Sequence, residues 1–263
     1  MPVMRYDRQG PIALLTLDRP DTMNPLGQAG DGDAIRAICD AINADFDVRC
    51  AILTGAGKAF CAGGDVKAIA DPDGPFSGSA LQIRSHYQQS VHRLGLALRG
   101  LQVPLIAAVN GAAIGLGCDV ACMADIRIAS DKAKFGVTFL ALGLVPGDGG
   151  AWLLPRIIGP DRAAELLFTA RVIDAETAAA WGLVTHRVAH DDLMRTALSL
   201  AEEIAQRPSH SLRFAKTLLR QGESGSYDQA LEAAALAQAL SHATPAHHEA
   251  MAATIARGSK RPG

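Results

Sequence analysis

Two glycine-rich turns, each placed after an apolar run, constrain the fold of this chain most strongly. The first lies in "FCAGGDVKAIA", residues 60–70, after the run "CAILTG", and the second lies in "NGAAIGLGCDVA", residues 110–121, after "VPLIAAV". Short apolar runs bounded by glycine are typical of buried strands, and small residues that favour a helix follow each turn. The two segments are therefore predicted to be equivalent units of strand, glycine turn and short helix.

The rest of the chain extends this alternation of strands and helices. We expect strands at residues 11–17, 49–55, 103–111 and 126–130, and helices at residues 26–46 and 81–101. The Pro, Gly and Ser content of residues 71–80 predicts a mobile loop. Helices are predicted over residues 162–169, 175–181, 193–206, 209–220 and 227–255, the last broken near Pro245. Their unpaired apolar faces indicate packing between subunits.

Composition narrows the class of protein. The 263 residues are 49% hydrophobic and 20% charged, which is ample for one main core, and no apolar run approaches the ~18 residues of a membrane span. The formal net charge of -2 gives no electrostatic footprint for a nucleic acid. The sequence therefore indicates a soluble α/β protein that binds neither nucleic acid nor membrane.

The cysteines indicate a reducing compartment. There are five, with no paired C-x-x-C spacing, and "MPVMRYDRQG" has no apolar segment of a signal peptide. We therefore expect a cytoplasmic protein whose cysteines are small buried side chains. The histidines, including the neighbouring pair at 247 and 248, have no ligand-like spacing, so no metal site is predicted.

Glycine turns that lead into helices place backbone amides where a ligand can reach them. Two such turns side by side would hold one carbonyl oxygen and stabilise an oxyanion or enolate. The alternative is a pair of ordinary strand-to-helix turns. A phosphate-binding loop is disfavoured, because no Lys-Ser/Thr follows "GAAIGLG" and neither turn completes a G-x-G-x-x-G pattern.

Six motifs in a fixed order carry a family resemblance. They are "KAFCAGGDVK", "PLIAAVNGAAIGLGCDVA", "ADIRIAS", "KFGV", "LGLVPGDGG" and "GLV". Together they resemble the crotonase superfamily, or enoyl-CoA hydratase/isomerase family, over residues 12–214. The resemblance implies a ββα spiral in residues 1–200, carrying an acyl-CoA site, and a helical C-terminal trimerisation region in residues 201–263. It also implies a homotrimer or dimer of trimers, and CoA that is part of the substrate rather than a separate cofactor.

The resemblance also implies which residues form the site. The two amides that hold the thioester oxygen would belong to Gly64 and Leu116, although most members have Gly at the second position. Lys58 and Lys67 match basic positions that meet the nucleotide phosphates. The other positions carried over as substrate-binding are Met23, Ala62, Asp65, Val66, Gly117 and Phe139.

The acids of the site depart from the hydratase pattern. Asp119 falls where hydratases of the family have their first catalytic glutamate, and its alternative role is to complement a helix N-terminus. Phe139 falls where the second glutamate would be. Asp148, in "VPGDGG", lies one position after the Asp used by some isomerases and by dehalogenases, and its alternative role is a turn or helix cap. His92 falls at the position of a dehalogenase histidine and is otherwise a surface or packing residue.

These residues predict an enoyl-CoA hydratase or isomerase that works through an oxyanion-stabilised enolate, with Asp119 and Asp148 as catalytic proton-transfer groups. Because one acid of the hydratase pair is absent, ordinary hydration is disfavoured. Other CoA-thioester reactions remain open, among them hydrolysis, dehalogenation and ring opening. So do a non-catalytic CoA- or RNA-binding relative and a purely structural oligomer.

Overall fold

The computed structural model describes residues 2–258. Its strands are β1 (Met4–Gln9), β2 (Ile12–Leu17), β3 (Cys50–Gly55), β4 (Ala59–Cys61), β5 (Leu105–Val109), β6 (Ala112–Ile114), β7 (Ile126–Ser130), β8 (Lys134–Gly136), β9 (Val172–Asp174) and β10 (His186–Val188). Its helices are α1 (Asp31–Ala44), α2 (Val66–Ala70), α3 (Ala80–Gln89), α4 (Val91–Arg99), α5 (Leu116–Met123), α6 (Gly150–Ile158), α7 (Pro160–Thr169), α8 (Ala175–Ala180), α9 (Leu193–Ala205), α10 (Ser209–Gly222), α11 (Tyr227–His242) and α12 (Pro245–Gly258).

The strands form two sheets that the chain visits in turn. The larger sheet has the order β1-β2-β3-β5-β7-β10, and the smaller has the order β4-β6-β8-β9. In the successive pairs β3–β4, β5–β6 and β7–β8, the first strand enters the larger sheet and the second enters the smaller one. Helical segments follow each pair, so the chain winds as the predicted ββα spiral.

The central strands are buried along their whole length because helices or the second sheet cover both of their faces. Every residue of β3 and β5 is buried. Leu53 belongs to the main core between the two sheets, whereas its neighbour Ile52 belongs to a second cluster beneath α9. Strands of a parallel sheet that are covered on both faces lose the polar and apolar alternation of a half-exposed strand.

The single helix expected over residues 81–101 is wrong. The chain forms α3 and α4, with Ser90 between them at φ -110° and ψ -81°. The Ser90 hydroxyl donates to the carbonyl oxygen of Gly27 at 3.1 Å. A buried serine that bonds to backbone outside its own helix competes with helical hydrogen bonds, which accounts for the break.

The expected helix over residues 26–46 begins only at Asp31. Gly27 and Gly30 have φ values of 93° and 85°, which lie in the left-handed region and prevent an earlier start. The short strands β4, β6, β8, β9 and β10 have three residues each and were not predicted, because so short a run carries no period. The helices expected beyond residue 160 and the break near Pro245 are confirmed.

The C-terminal helices begin with a polar attachment to the core. On α10, Arg213 and Lys216 are each only 5% exposed. The Lys216 ammonium lies 2.8 Å from the carboxylate of Asp125 and donates to the Val103 carbonyl oxygen at 2.8 Å. The expected boundary at residue 200, between the spiral and the C-terminal region, falls inside α9 and stays a prediction. Residues 259–263 of the expected C-terminal region lie outside the described residues.

Candidate active site

Strand pairing brings the two glycine turns together. β4 and β6 are parallel neighbours, with Ala59 opposite Ala112 and Cys61 opposite Ala113. The carboxyl ends of parallel neighbours lie at the same edge of a sheet, so the turns that follow them adjoin. The first turn leads into α2 and the second into α5, which confirms that the two segments are equivalent units.

Backbone contact between the turns explains two of their glycines. A Cβ atom on Gly117 would lie 2.0 Å from the carbonyl oxygen of Cys61. A Cβ atom on Gly63 would lie 2.9 Å from the carbonyl oxygen of Ile114, and Gly63 has a φ of 108°. Neither position accepts a side chain unless backbone moves, so strand ends and glycines together fix the spacing of the two turns.

The predicted oxyanion donors meet in one cleft. Gly64 and Leu116 both line it, and Leu116 is the first residue of α5. Within residues 2–258, neither of their amide nitrogens donates a hydrogen bond to another group of the chain. Two residues with unpaired N–H groups in the wall of one cavity are suited to stabilise a developing negative charge on oxygen.

The cleft encloses about 590 Å³, including its open mouth, and is mainly apolar. Aromatic rings of Phe76, Tyr87 and Phe139 contribute to its wall. Asp148 is the one carboxylic acid among the cleft-lining residues in the described part of the chain. The cleft therefore combines two unpaired amides with a single acid in apolar surroundings.

Asp148 has a pKa raised towards neutrality. Burial raises its pKa from 3.8 to about 6, and the nearby His92 opposes that rise. The imidazole Nε2 of His92 lies 2.9 Å from the carbonyl oxygen of Gly147, the residue before Asp148. Tyr87 lies beside the same turn, and burial and the Asp148 carboxylate raise its pKa. A carboxyl with this pKa can both accept and return a proton at physiological pH.

Asp119 has a different environment, since it is fully buried and does not line the cleft. Its Oδ2 accepts a hydrogen bond from the amide of Gly150 at 3.1 Å, while its Oδ1 has no partner in the structure of residues 2–258. Burial raises its pKa well above the ordinary value, and the nearby Cys122 and Asp148 add to the rise. The predicted catalytic role of Asp119 stays a prediction.

Comparison with known proteins identifies the family. The model of the enoyl-CoA hydratase/isomerase family matches residues 7–259. The chain belongs to the enoyl-CoA hydratase/isomerase family. It is accordingly an enzyme of that family, as the six sequence motifs predicted.

Individual members of the enoyl-CoA hydratase/isomerase family resemble the chain along most of its length. A 1,2-epoxyphenylacetyl-CoA isomerase of Escherichia coli is 34% identical over 94% of this chain and 93% of its own. A crotonyl-CoA hydratase of Syntrophomonas wolfei is 35% identical over 95% of this chain and 93% of its own. The crystal structure of an enoyl-CoA hydratase from Bacillus anthracis has a TM-score of 0.90 at 31% identity, covering 97% of this chain and 96% of that one. The crotonase fold expected from the sequence is confirmed.

The remaining positions carried over from the enoyl-CoA hydratase/isomerase family divide into two groups. Ala62 and Val66 line the cleft beside Gly64. Lys58 and Lys67 are exposed on the flanking segments, and Met23 is 42% exposed with its carbonyl oxygen bonded to the Ala62 amide. These placements leave the predicted contacts with substrate as predictions.

Two residues predicted to bind substrate also have structural roles. Asp65 caps α2, because its side chain accepts from the amides of Lys67 and Ala68. Asp65 also accepts from the side-chain amide of Gln28 at 3.1 Å. Gly117 packs against the end of β4 and does not line the cleft. Direct contact of either residue with substrate stays a prediction.

Sequence reasoning missed two aromatic side chains of the cleft. Phe76 and Tyr87 lie with their ring centroids 5.4 Å apart, and Phe76 also contacts His86. Phe76 is the one aromatic residue in the predicted loop of residues 71–80, and on that ground it could have been chosen as a candidate for the cleft from the sequence. No comparable signal marked Tyr87, because the direction of its side chain depends on the helix break at Ser90.

The described residues contain no helix that is long and apolar enough to cross a bilayer. They also contain no group of three or more His, Cys, Asp or Glu side chains arranged to hold a metal ion. All five cysteines are buried, and none forms a disulfide.

Gly117→Ala should lose activity by at least about tenfold and lower the midpoint of thermal unfolding, because the added methyl group would collide with the Cys61 carbonyl oxygen and separate the two turns. Turnover of an enoyl-CoA and circular dichroism melting measure both effects. Gly222→Ala is the matched control, since a Cβ there meets nothing within 4 Å. Equal activity in the two variants would contradict the assigned spacing.

Proposed function

We propose that this enzyme moves a carbon–carbon double bond within an acyl-CoA thioester. The amides of Gly64 and Leu116 would hold the thioester oxygen as an enolate, and Asp148 would carry the proton. The most direct support is that Asp148 is the one acid lining the cleft in the described chain, and that the amides of Gly64 and Leu116 are unpaired there. Isomerisation needs one group that takes and returns a proton. Hydration needs a second group to direct water, and Phe139 occupies the place where family hydratases have it.

The proposed reaction begins with a 3-enoyl-CoA. The Asp148 carboxylate takes a proton from the α-carbon, and the electron pair of that C–H bond delocalises through the thioester carbonyl and the double bond. The negative charge that develops on oxygen is stabilised by the two amides. Asp148 then returns the proton to the γ-carbon, which leaves a 2-enoyl-CoA and the original carboxylate. Atoms and charge balance without a cofactor.

Binding of the CoA portion is proposed for the segments around the first turn. Lys58 and Lys67 are exposed and carry positive charge, so they are suited to the nucleotide phosphates. The other candidate positions in or beside the first turn are Met23, Ala62, Asp65 and Val66. The apolar wall with Leu116 and Phe139 would receive the acyl group.

Product analysis tests the proposed function. The purified protein is incubated with crotonyl-CoA and, separately, with a 3-enoyl-CoA, and the products are resolved by chromatography. We expect conversion of the 3-enoyl substrate to a 2-enoyl product and little addition of water to crotonyl-CoA. Rapid hydration of crotonyl-CoA would contradict the proposal and would place the chain beside its relative named crotonyl-CoA hydratase.

The pH dependence of isomerisation should report Asp148. Because the carboxyl must be ionised to accept a proton and its pKa is about 6, kcat/KM should fall tenfold per pH unit well below pH 6 and level off above it. Initial rates measured on both sides of this pKa define the acidic limb. A flat profile through the same range would exclude Asp148 as the base.

We also propose that the C-terminal helices pack between subunits of a homotrimer or a dimer of trimers. Leu231, Leu236 and Leu240 on α11 and Ile255 on α12 are 51–66% exposed in the single chain. Several exposed apolar side chains on neighbouring helices are typical of subunit interfaces. Light scattering after size exclusion should give three or six times the mass of one chain, and a monomer would contradict this arrangement. The unpaired cysteines support the expected cytoplasmic location.

A further inference from the structure

One buried side chain connects the two halves of the proposed site. Asp119 lies in the first half of α5, the helix whose first residue, Leu116, presents one of the two amides. Its Oδ2 accepts a hydrogen bond from Gly150, the first residue of α6, at 3.1 Å. Gly150 follows Asp148 after a single residue, Gly149, which has a φ of 103°. The contact therefore joins the helix of the amide to the turn of the acid.

The fit between Asp119 and Gly150 leaves no spare volume. A Cβ atom on Gly150 would lie 2.1 Å from Oδ1, 2.6 Å from Cγ and 2.7 Å from Oδ2 of Asp119. The carboxyl group thus occupies the space that a side chain at position 150 would need. A larger residue at position 150 would therefore push α6 away from α5, and Asp148, which precedes α6, would move with it.

We propose that Asp119 is a positioning residue, which sets the distance between the Leu116 amide and the Asp148 carboxyl and exchanges no proton with the substrate. This inference rests on the proposed function, since it concerns the same donor and the same acid. It differs from the role that the family resemblance implies for this position.

The surroundings of Asp119 support a neutral, static carboxyl. The side chain is fully buried and lies outside the cleft wall. The titratable groups that act on it are Cys122 from its own helix and Asp148 from the turn before α6, and both raise its pKa. A neutral carboxyl that accepts one hydrogen bond has nearly the shape of an asparagine side chain and offers the same kind of carbonyl oxygen to Gly150, although asparagine carries two N–H donors where the acid carries one O–H.

Asp119→Asn and Asp148→Asn form the first test. In Asp119→Asn the new side-chain amide oxygen can still accept from Gly150, so we expect kcat on a 3-enoyl-CoA to stay within about threefold of wild type, with an unchanged acidic limb in the pH profile. Asp148→Asn should lose about 10²-fold or more. If Asp119→Asn folds normally and is as inactive as Asp148→Asn, Asp119 transfers a proton and the positioning role is overturned.

A pair of size changes forms the second test. Gly150→Ala and Asp119→Ala should each lose at least about tenfold in kcat, the first through a clash and the second through a lost contact. The double variant should recover at least about fivefold over Gly150→Ala, because the new methyl group fills the volume that the carboxyl leaves. A double variant no better than either single one, both in kcat and in thermal midpoint, would overturn the proposal.

Two readouts separate this inference from the proposed function. If wild type fails to isomerise any 3-enoyl-CoA, the proposed function fails, while coupling of the two size changes in thermal unfolding still tests the contact. Infrared difference spectra of wild type against Asp119→Asn at neutral pH should show the carbonyl band of a protonated carboxylic acid. Loss of a carboxylate band instead would contradict the neutral, static side chain.

Discussion

Asp148→Asn is expected to lower kcat for double-bond isomerisation by about 10²–10⁴-fold, which is the usual contribution of a general acid–base group. The amide has the shape of the carboxyl but cannot accept a proton from the substrate, so binding of the thioester should change little. Steady-state kinetics with a 3-enoyl-CoA measure kcat and KM separately. A loss confined to KM would show that Asp148 only contacts the substrate.

The same variant should be more stable than wild type above pH 6. The pKa of Asp148 rises from 3.8 to about 6 in the folded state, so the folded chain binds its proton more tightly than the unfolded chain does. Protonated Asp148 therefore stabilises the fold relative to the ionised form. This contribution is fully present below pH 3.8 and is lost as the pH rises through 6. At a pH well above 6, replacement by Asn should increase the free energy of unfolding by about 1–3 kcal/mol.

Urea unfolding at one pH below and one pH above this range measures the difference. Asp40→Asn is the matched control, because its side chain is 66% exposed in an exposed pair with Arg36 and should change stability little. If Asp148→Asn were less stable than wild type at the higher pH, the acid would be held by partners rather than strained by burial.

Asp125→Ala should cost about 3–5 kcal/mol of unfolding free energy, the largest stability effect expected in this chain. The Lys216 ammonium and the Arg220 guanidinium each lie 2.8 Å from an Asp125 oxygen, and Lys216 is only 5% exposed. Removing the carboxylate leaves a buried cation whose pKa burial already lowers. The backbone amide of Leu105, which donates to Asp125 at 2.8 Å, loses its acceptor as well.

Chemical denaturation with an activity assay at each urea concentration separates loss of fold from loss of chemistry. Asp125→Ala combined with Lys216→Met should recover part of the loss, because the double variant removes the buried ammonium. Asp40→Ala again serves as the exposed control, with an expected loss of at most about 1 kcal/mol. A loss below about 1 kcal/mol for Asp125→Ala would mean that Lys216 finds water or another acceptor.

The residues of the glycine turns could be predicted because their chemistry is local. Gly63 and Gly117, whose added Cβ atoms would touch backbone, mark the two turns in the sequence, whereas the donor amides of Gly64 and Leu116 were assigned through the family resemblance. Asp148 was named through the same resemblance, because it lies one position after the Asp that some members of the family use. The environment of Asp119 was not, because the Gly150 contact depends on how α6 packs against α5. Tyr87 depends on a helix break set by a serine that bonds to a distant carbonyl.

One part of the cleft is held in place by paired strands and another part by a loop, and this division affects which features can change among related enzymes. The distance between the two amides is determined by the pairing of β4 with β6 and by glycines that tolerate no side chain. Phe76 reaches the cleft from the segment between α2 and α3, which belongs to neither strand. Insertions or substitutions in that segment can therefore change which acyl groups bind without changing the distance between the two amides.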